Sequence, residues 1–263
     1  MSNTTYRHAR IFWVLLSKDI KLLTSRLDAL FLDCISPLIT QVLTFGYLFP
    51  LLGMPSSMIA PVYLGSMMTL LIQLGFTFLI RVAFDIKDTH FIDYQNTLPI
   101  SKKWLFSSYI VSNMIETAIA AVPLITAGLL VLHNHVSFEH TSVIALLAII
   151  IMNLLFFATF FLACAIYYDF NWLINNMWPR RIIPLLSLSA SLVIWSKAYA
   201  WSPILGIIML FSPFTYAVEG MRSSILGSQD YLSPLTCLGA LALFISINII
   251  VLTIGIRKKL DPV

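Results

Sequence analysis

The stretch WSPILGIIMLFSPFTYAVEGMRSSILGSQDYLSP, residues 201–234, is too apolar for a soluble loop and too broken to cross a bilayer. Residues 204–211 give one short apolar run, fenced by Pro203 and Pro213. Residues 214–226 then read as a helix with Glu219 and Arg222 one turn apart. A spanning helix needs roughly 20 apolar residues. Two half-segments split at Ser212-Pro213 are therefore expected to dip into a membrane and return. Irregular backbone survives at membrane depth only where protein or a water-filled cavity surrounds it. The segment is expected to line or close a path through neighbouring helices.

Working outward, six apolar runs are long enough to cross: 29–52, 59–83, 104–132, 143–167, 182–200 and 235–256. The connections carry the orientation signal. If the N-terminus is cytoplasmic, all of the 16 Lys and Arg except Lys197 and Arg222 fall on the cytoplasmic side. Both termini are then cytoplasmic. Counting 201–234 as a seventh span would push Arg257, Lys258 and Lys259 outside, which the charge rule rejects. Residues 1–28 are interrupted by charge too often to span. Ile11, Phe12, Leu15, Leu16, Ile20, Leu23 and Leu27 share a helical face, and Asp19 and Arg26 intrude on it. That is the pattern of a helix lying in the membrane interface. The expected fold is an all-α membrane protein. It has an interfacial helix at 1–28 and a six-span domain at 29–263, with a re-entrant helix pair between spans five and six.

Composition agrees. The chain is 59% hydrophobic and 11% charged, with mean hydropathy +0.89, whereas soluble domains carry about 25% charged residues. Cys34, Cys164 and Cys237 sit in apolar runs without paired spacing and read as small buried hydrophobes. The net charge of +4 is spread over separate cytoplasmic segments, so it reads as topology and attraction to anionic headgroups, not nucleic-acid binding.

The longest polar connection, 84–103, reads FDIKDTHFIDYQNTLPISKK. Polar and apolar residues alternate there as on a short amphipathic helix, which ends before Pro99 because the residue preceding proline disfavours helix. A shorter inner connection, DFNWLINNMWPRR, precedes the fifth run. The outer connection holding His133, His135, Glu139 and His140 reads as a solvated loop, and no metal site is expected. No Gly-x-x-x-x-Gly-Lys-Ser/Thr loop occurs, so nucleotide hydrolysis is not expected in this chain. Ionisable residues inside the runs are few: Asp33, Glu116 and Lys197. Such groups default to functional hypotheses. Glu116, with Asn113 a turn earlier, either borders a pathway or makes a structural hydrogen bond. Glu219 and Arg222 can pair at (i, i+3), as a fold-locking ion pair or as a gate. Swapping their charges is expected to preserve more transport than neutralising either.

The run SPFTYAVEGMRSSILG, 212–227, resembles a pattern of integral-membrane permeases of type-2 ABC transporters, mostly exporters. That pattern is Asn-Pro-(apolar)-Thr-Tyr, then an acidic residue, then Arg, ending in Leu-Gly; Ser212 stands where Asn is usual. DTHFIDYQNTLPIS, 88–101, is similar to the family's inner loop, with His90 replacing a small residue and Leu98 intruding before Pro99. The resemblance implies two permeases, identical or related, over two ATPase subunits that bind ATP and Mg. Phe84, Asp85, Asp88, Phe91, Ile92, Tyr94, Leu98 and Pro99 would couple to the ATPase. Pro213, Tyr216, Glu219, Arg222 and Gly227 would form an outer gate. The expected cargo is a lipid, lipid-linked glycan, drug or similar amphiphile, exported across a bacterial inner or plasma membrane. The alternatives are an intramembrane lipid-modifying enzyme using Glu116 or the histidines, and a structural or channel subunit without energy coupling.

Overall fold

The computed structural model describes residues 3–87, 101–132 and 141–259, and these are helical almost throughout, without strands. Helix α1 spans Asn3–Thr24 and α2 Leu27–Leu51, the latter with a π-turn at Thr44–Leu48. Then come α3 (Ser56–Lys87), α4 (Lys102–Leu132) and α5 (Val143–Tyr167). Helix α6 comprises Phe170–Trp172, a π-helical run Leu173–Ile182, and Ile183–Ser187. Helices α7 (Trp195–Trp201), α8 (Pro203–Leu210), α9 (Pro213–Leu226) and α10 (Pro234–Lys259) complete the chain. Five helices, α2 to α5 and α10, are long and apolar enough to cross a membrane; α8 and α9 make a pair bent by 99°.

Contacts along the helices set their directions. Asn248 Nδ2 donates to Thr159 Oγ1 at 3.5 Å, and the Tyr167 hydroxyl donates to the Val251 carbonyl at 3.1 Å. Gly220 lies between Ile149 and Cys237. Residue numbers thus rise together along α5 and α10, and the two helices are parallel. Parallel neighbours require the intervening chain to travel back along the bundle.

Helix α6 makes that journey. Its Phe170 ring packs on Phe84 of α3 at 5.5 Å between centroids, and Trp178 on Phe76 at 5.2 Å. Beyond its end, the Ser191 backbone reaches Gly65. The returning helix thus starts at 170, which corrects the sequence reading of a span at 182–200. Residues 170–181, read as a connection, are helical. The run 182–200 is instead broken between Ser187 and Trp195. The physical reason is composition: Asn171, Asn175, Asn176, Arg180 and Arg181 depress the hydropathy of 170–181, while apolar residues continue through the break. Phe170 and Trp178 pack on α3 while Asn171, Asn175, Arg180 and Arg181 stay exposed, so a helix packed on one side carries polar residues that a hydropathy window penalises.

Packing within the bundle is dense and aromatic. Phe156, Phe157 and Phe214 are fully buried, and Phe156 stacks with Phe160 at 5.8 Å. In an apolar environment such close packing, rather than water release, holds helices together. Gly75 allows Phe161 of α5 to lie directly on the α3 backbone. The three cysteines are buried and form no disulfide with one another, as their apolar surroundings implied.

Candidate functional site

The broken segment is built from short helices with defined ends. Ser202 caps α8 by accepting from the Leu205 N–H, and Pro203 and Pro213 occupy first-turn positions where no amide donor is needed. Between α8 and α9 the Thr215 hydroxyl donates to the Met209 carbonyl at 2.6 Å, and Ser212 Oγ to the Leu185 carbonyl at 3.1 Å. Helix α9 starts beside the middle of α5, where Phe214 meets Phe156 and Phe157. It finishes at the α5 N-terminus, where Thr141 Oγ1 donates to the Ile225 carbonyl and the Ser142 N–H to the Ser224 carbonyl. Gly227 follows at φ 91°, a left-handed value that favours glycine. Tyr216 packs on Phe244 of α10 at 6.2 Å.

Arg222 and Glu219 lie at the centre of this segment with 0% of either side chain exposed. Their Nη1–Oε1 distance is 2.9 Å. The guanidinium does more than pair. Its Nε donates to the Pro61 carbonyl of α3 at 2.8 Å, and Nη2 to Ser191 at 3.0 Å. Nη1 also reaches the carbonyls of Ala190 and Val193. Glu219 accepts from the backbone N–H of Trp195 at 3.3 Å and of Leu232 at 3.4 Å. The pair ties α3, the break after α6, the start of α7 and the α9–α10 connection to one point. Burying two charges is tolerable only when hydrogen bonds satisfy the remaining donors and acceptors, and here the backbone of a broken helix supplies them.

A second feature is a cavity of about 960 Å³ between α1, α2, α3 and α4. Asn113 and Glu116, the two pathway candidates, both line it. Glu116 receives both terminal nitrogens of Arg81, at 3.0 and 2.9 Å. Arg81 belongs to α3, one turn before Asp85, which lines the same cavity. Asn113 is 1% exposed; its Oδ1 accepts from the Thr117 hydroxyl at 3.0 Å, and its Nδ2 has no partner. The polar intruders on the apolar face of α1, Asp19 and Arg26, line the cavity too. Burial pushes the Asp19 carboxyl above its ordinary 3.8, opposed by Lys18 and by a hydrogen bond from Ser112.

The coupling residues divide. Phe84 and Asp85 are the last turn of α3, which continues to Lys87, rather than part of a separate connecting helix. Asp88, Phe91, Ile92, Tyr94, Leu98 and Pro99 lie outside the described residues, as do His133, His135, Glu139 and His140. Among the described residues no group of His, Cys, Asp and Glu is arranged to hold a metal. Sequence reading missed Arg81, which it placed on the cytoplasmic side with the other basic residues. Its position inside the apolar run 59–83 was the available signal.

The fold and these two polar clusters define a multi-pass, all-helical membrane protein. Residues 10–226 match the family model described as ABC-2 type transporter, and the chain belongs to that family. It is a transmembrane permease component of an ABC transporter, a class that works with an ABC ATPase. No curated protein and no solved structure matches the chain.

Proposed function

We propose that the chain is the permease of an ATP-driven exporter that moves an amphiphile across a bacterial inner or plasma membrane. Two copies, or this chain and a related one, pair above two ATPase subunits. Both termini face the cytoplasm, as the basic residues require. Helix α6 is the fifth of six crossings, and α8–α9 is a re-entrant pair that closes the outer end of the path. What supports the last point is direction: α9 ends at the α5 N-terminus, and Ser196 of α7 donates to the Asp230 carbonyl near the same end. A segment that enters and leaves at one end does not cross.

The observation that carries the proposal is the family match over 10–226. In this reading, ATPase closure pushes on the 84–103 segment and α1, and rigid helices carry the displacement to the crossings. The driving free energy comes from the partner. The test is nucleotide-driven transport into inverted membrane vesicles by the permease co-purified with its ATPase. Deleting residues 98–103 should abolish transport while leaving the assembled permease in the membrane; retained transport would sink the coupling role. The lipid-modifying alternative loses ground because both oxygens of its candidate acid or base, Glu116, are engaged by Arg81.

A further inference from the structure

The two charge clusters differ in access. Glu219 and Arg222 are sealed at 0% exposure, whereas Arg81 and Glu116 keep 38% and 17% of their side chains exposed. The first pair can only hold structure. The second borders open volume that a ligand can enter.

Around that volume stand three basic side chains, Lys18, Arg26 and Arg81, and three acidic ones, Asp19, Asp85 and Glu116. Their formal charges cancel, so a strongly anionic or cationic group gains little net attraction. A group carrying both signs can face each. Leu30, Leu70, Leu74, Phe78 and Leu124 from three helices give the wall an apolar part, beside the uncharged polar Gln73, Thr77, Ser112 and Thr117. A volume of about 960 Å³ is at the upper end of the roughly 300–1,000 Å³ typical of small-molecule sites. It holds one alkyl chain with a compact headgroup.

An independent observation points to a ligand acceptor. Asn113 borders the cavity, and its buried Nδ2 has no hydrogen-bond partner. Leaving such a buried donor unmade is destabilising, a penalty that a ligand oxygen removes. We propose that the α1–α4 cavity is a binding site for a single-chain zwitterionic amphiphile, its chain on the leucine wall and its phosphate or similar oxygen on Asn113 Nδ2 and the basic side chains. The ammonium faces Asp19 and Asp85. The site stands whether the ligand is cargo or a resident lipid, since binding needs neither nucleotide nor an ATPase.

Native mass spectrometry of the purified full-length permease in its transporter complex tests this, with lysophosphatidylethanolamine as probe and lysophosphatidylglycerol of the same chain length as the anionic control. The expected result is one zwitterionic lipid retained per chain, with the control at least about fivefold weaker. Asn113→Leu should weaken the zwitterionic probe about tenfold. It should leave the ligand-free melting temperature unchanged or higher, because it removes an unmade donor. Thr117 then donates to its own i−4 carbonyl, as Thr40, Thr77 and Thr126 already do. Equal retention of the anionic lipid, undiminished binding by Asn113→Leu, or no stoichiometric lipid at all would each overturn the assignment. A transporter that binds the probe but exports nothing would count against the exporter reading and not against the site.

Discussion

At Arg222 a planar, five-donor cation is held by four backbone carbonyls and one carboxylate spread over three segments. Lysine carries its donors on one point and cannot span those directions. Arg222→Lys should therefore destabilise the folded permease nearly as much as Arg222→Met. Removing one partner of a buried pair typically costs about 3–5 kcal/mol. Thermal melts in detergent, compared with wild type, measure both. The same geometry reverses the expectation from sequence that a charge swap rescues function. A glutamate at 222 would face the carbonyls of Pro61, Ala190 and Ser191, so Glu219→Arg/Arg222→Glu should lose at least as much stability and transport as either neutral variant. A swap that restores transport would show that pairing alone matters there.

Among the elements, α3 depends on a close approach at Gly65. A Cβ there would collide with the Ser191 carbonyl and lie 2.8 Å from Arg222 Nη2, whereas nothing stands within 4 Å of one at Gly239. Gly65→Ala should lower the melting temperature of the permease by several degrees. Gly239→Ala, on the open side of α10, should leave it unchanged or raise it, since alanine favours helix by roughly 0.5–1 kcal/mol. On α1 the sign follows from Asp19. Its folded pKa lies above the unfolded 3.8, so its ionised form opposes folding at neutral pH. That penalty fades as pH falls through the folded value. Asp19→Asn keeps a hydrogen-bond acceptor for Ser112 and should match or slightly exceed wild type in stability at pH 7, with the difference vanishing in acid. Melts of both proteins across pH check this.

Across the whole molecule, helix directions make a labelling prediction. The α5 and α10 N-termini share one end of the bundle, and their C-termini share the other. Single cysteines at Ser142 and Ser233 should react with an impermeant thiol reagent from one side of the membrane, and cysteines at Ser101 and Arg257 from the other. Label at Ser142 and Ser233 from opposite sides would show that α8–α9 crosses instead of turning back.

By itself the sequence determined that this is an all-helical membrane chain, where most crossings fall, and that residues 201–234 are a broken apolar segment containing a Glu219–Arg222 pair. These are local properties, because run length, proline placement and (i, i+3) spacing are written into consecutive residues. Only the tertiary structure decided that a helix runs back along α3 from Phe170, that Arg222 bonds mainly to backbone of other segments, and that Arg81 reaches Glu116 across 35 positions of chain. A hydropathy window scores each residue as if lipid surrounded it, yet Arg81 and Arg222 are placed by the neighbours that packing brings to them. Partners distant in the chain decide whether a polar group is tolerated, and no stretch of sequence contains both.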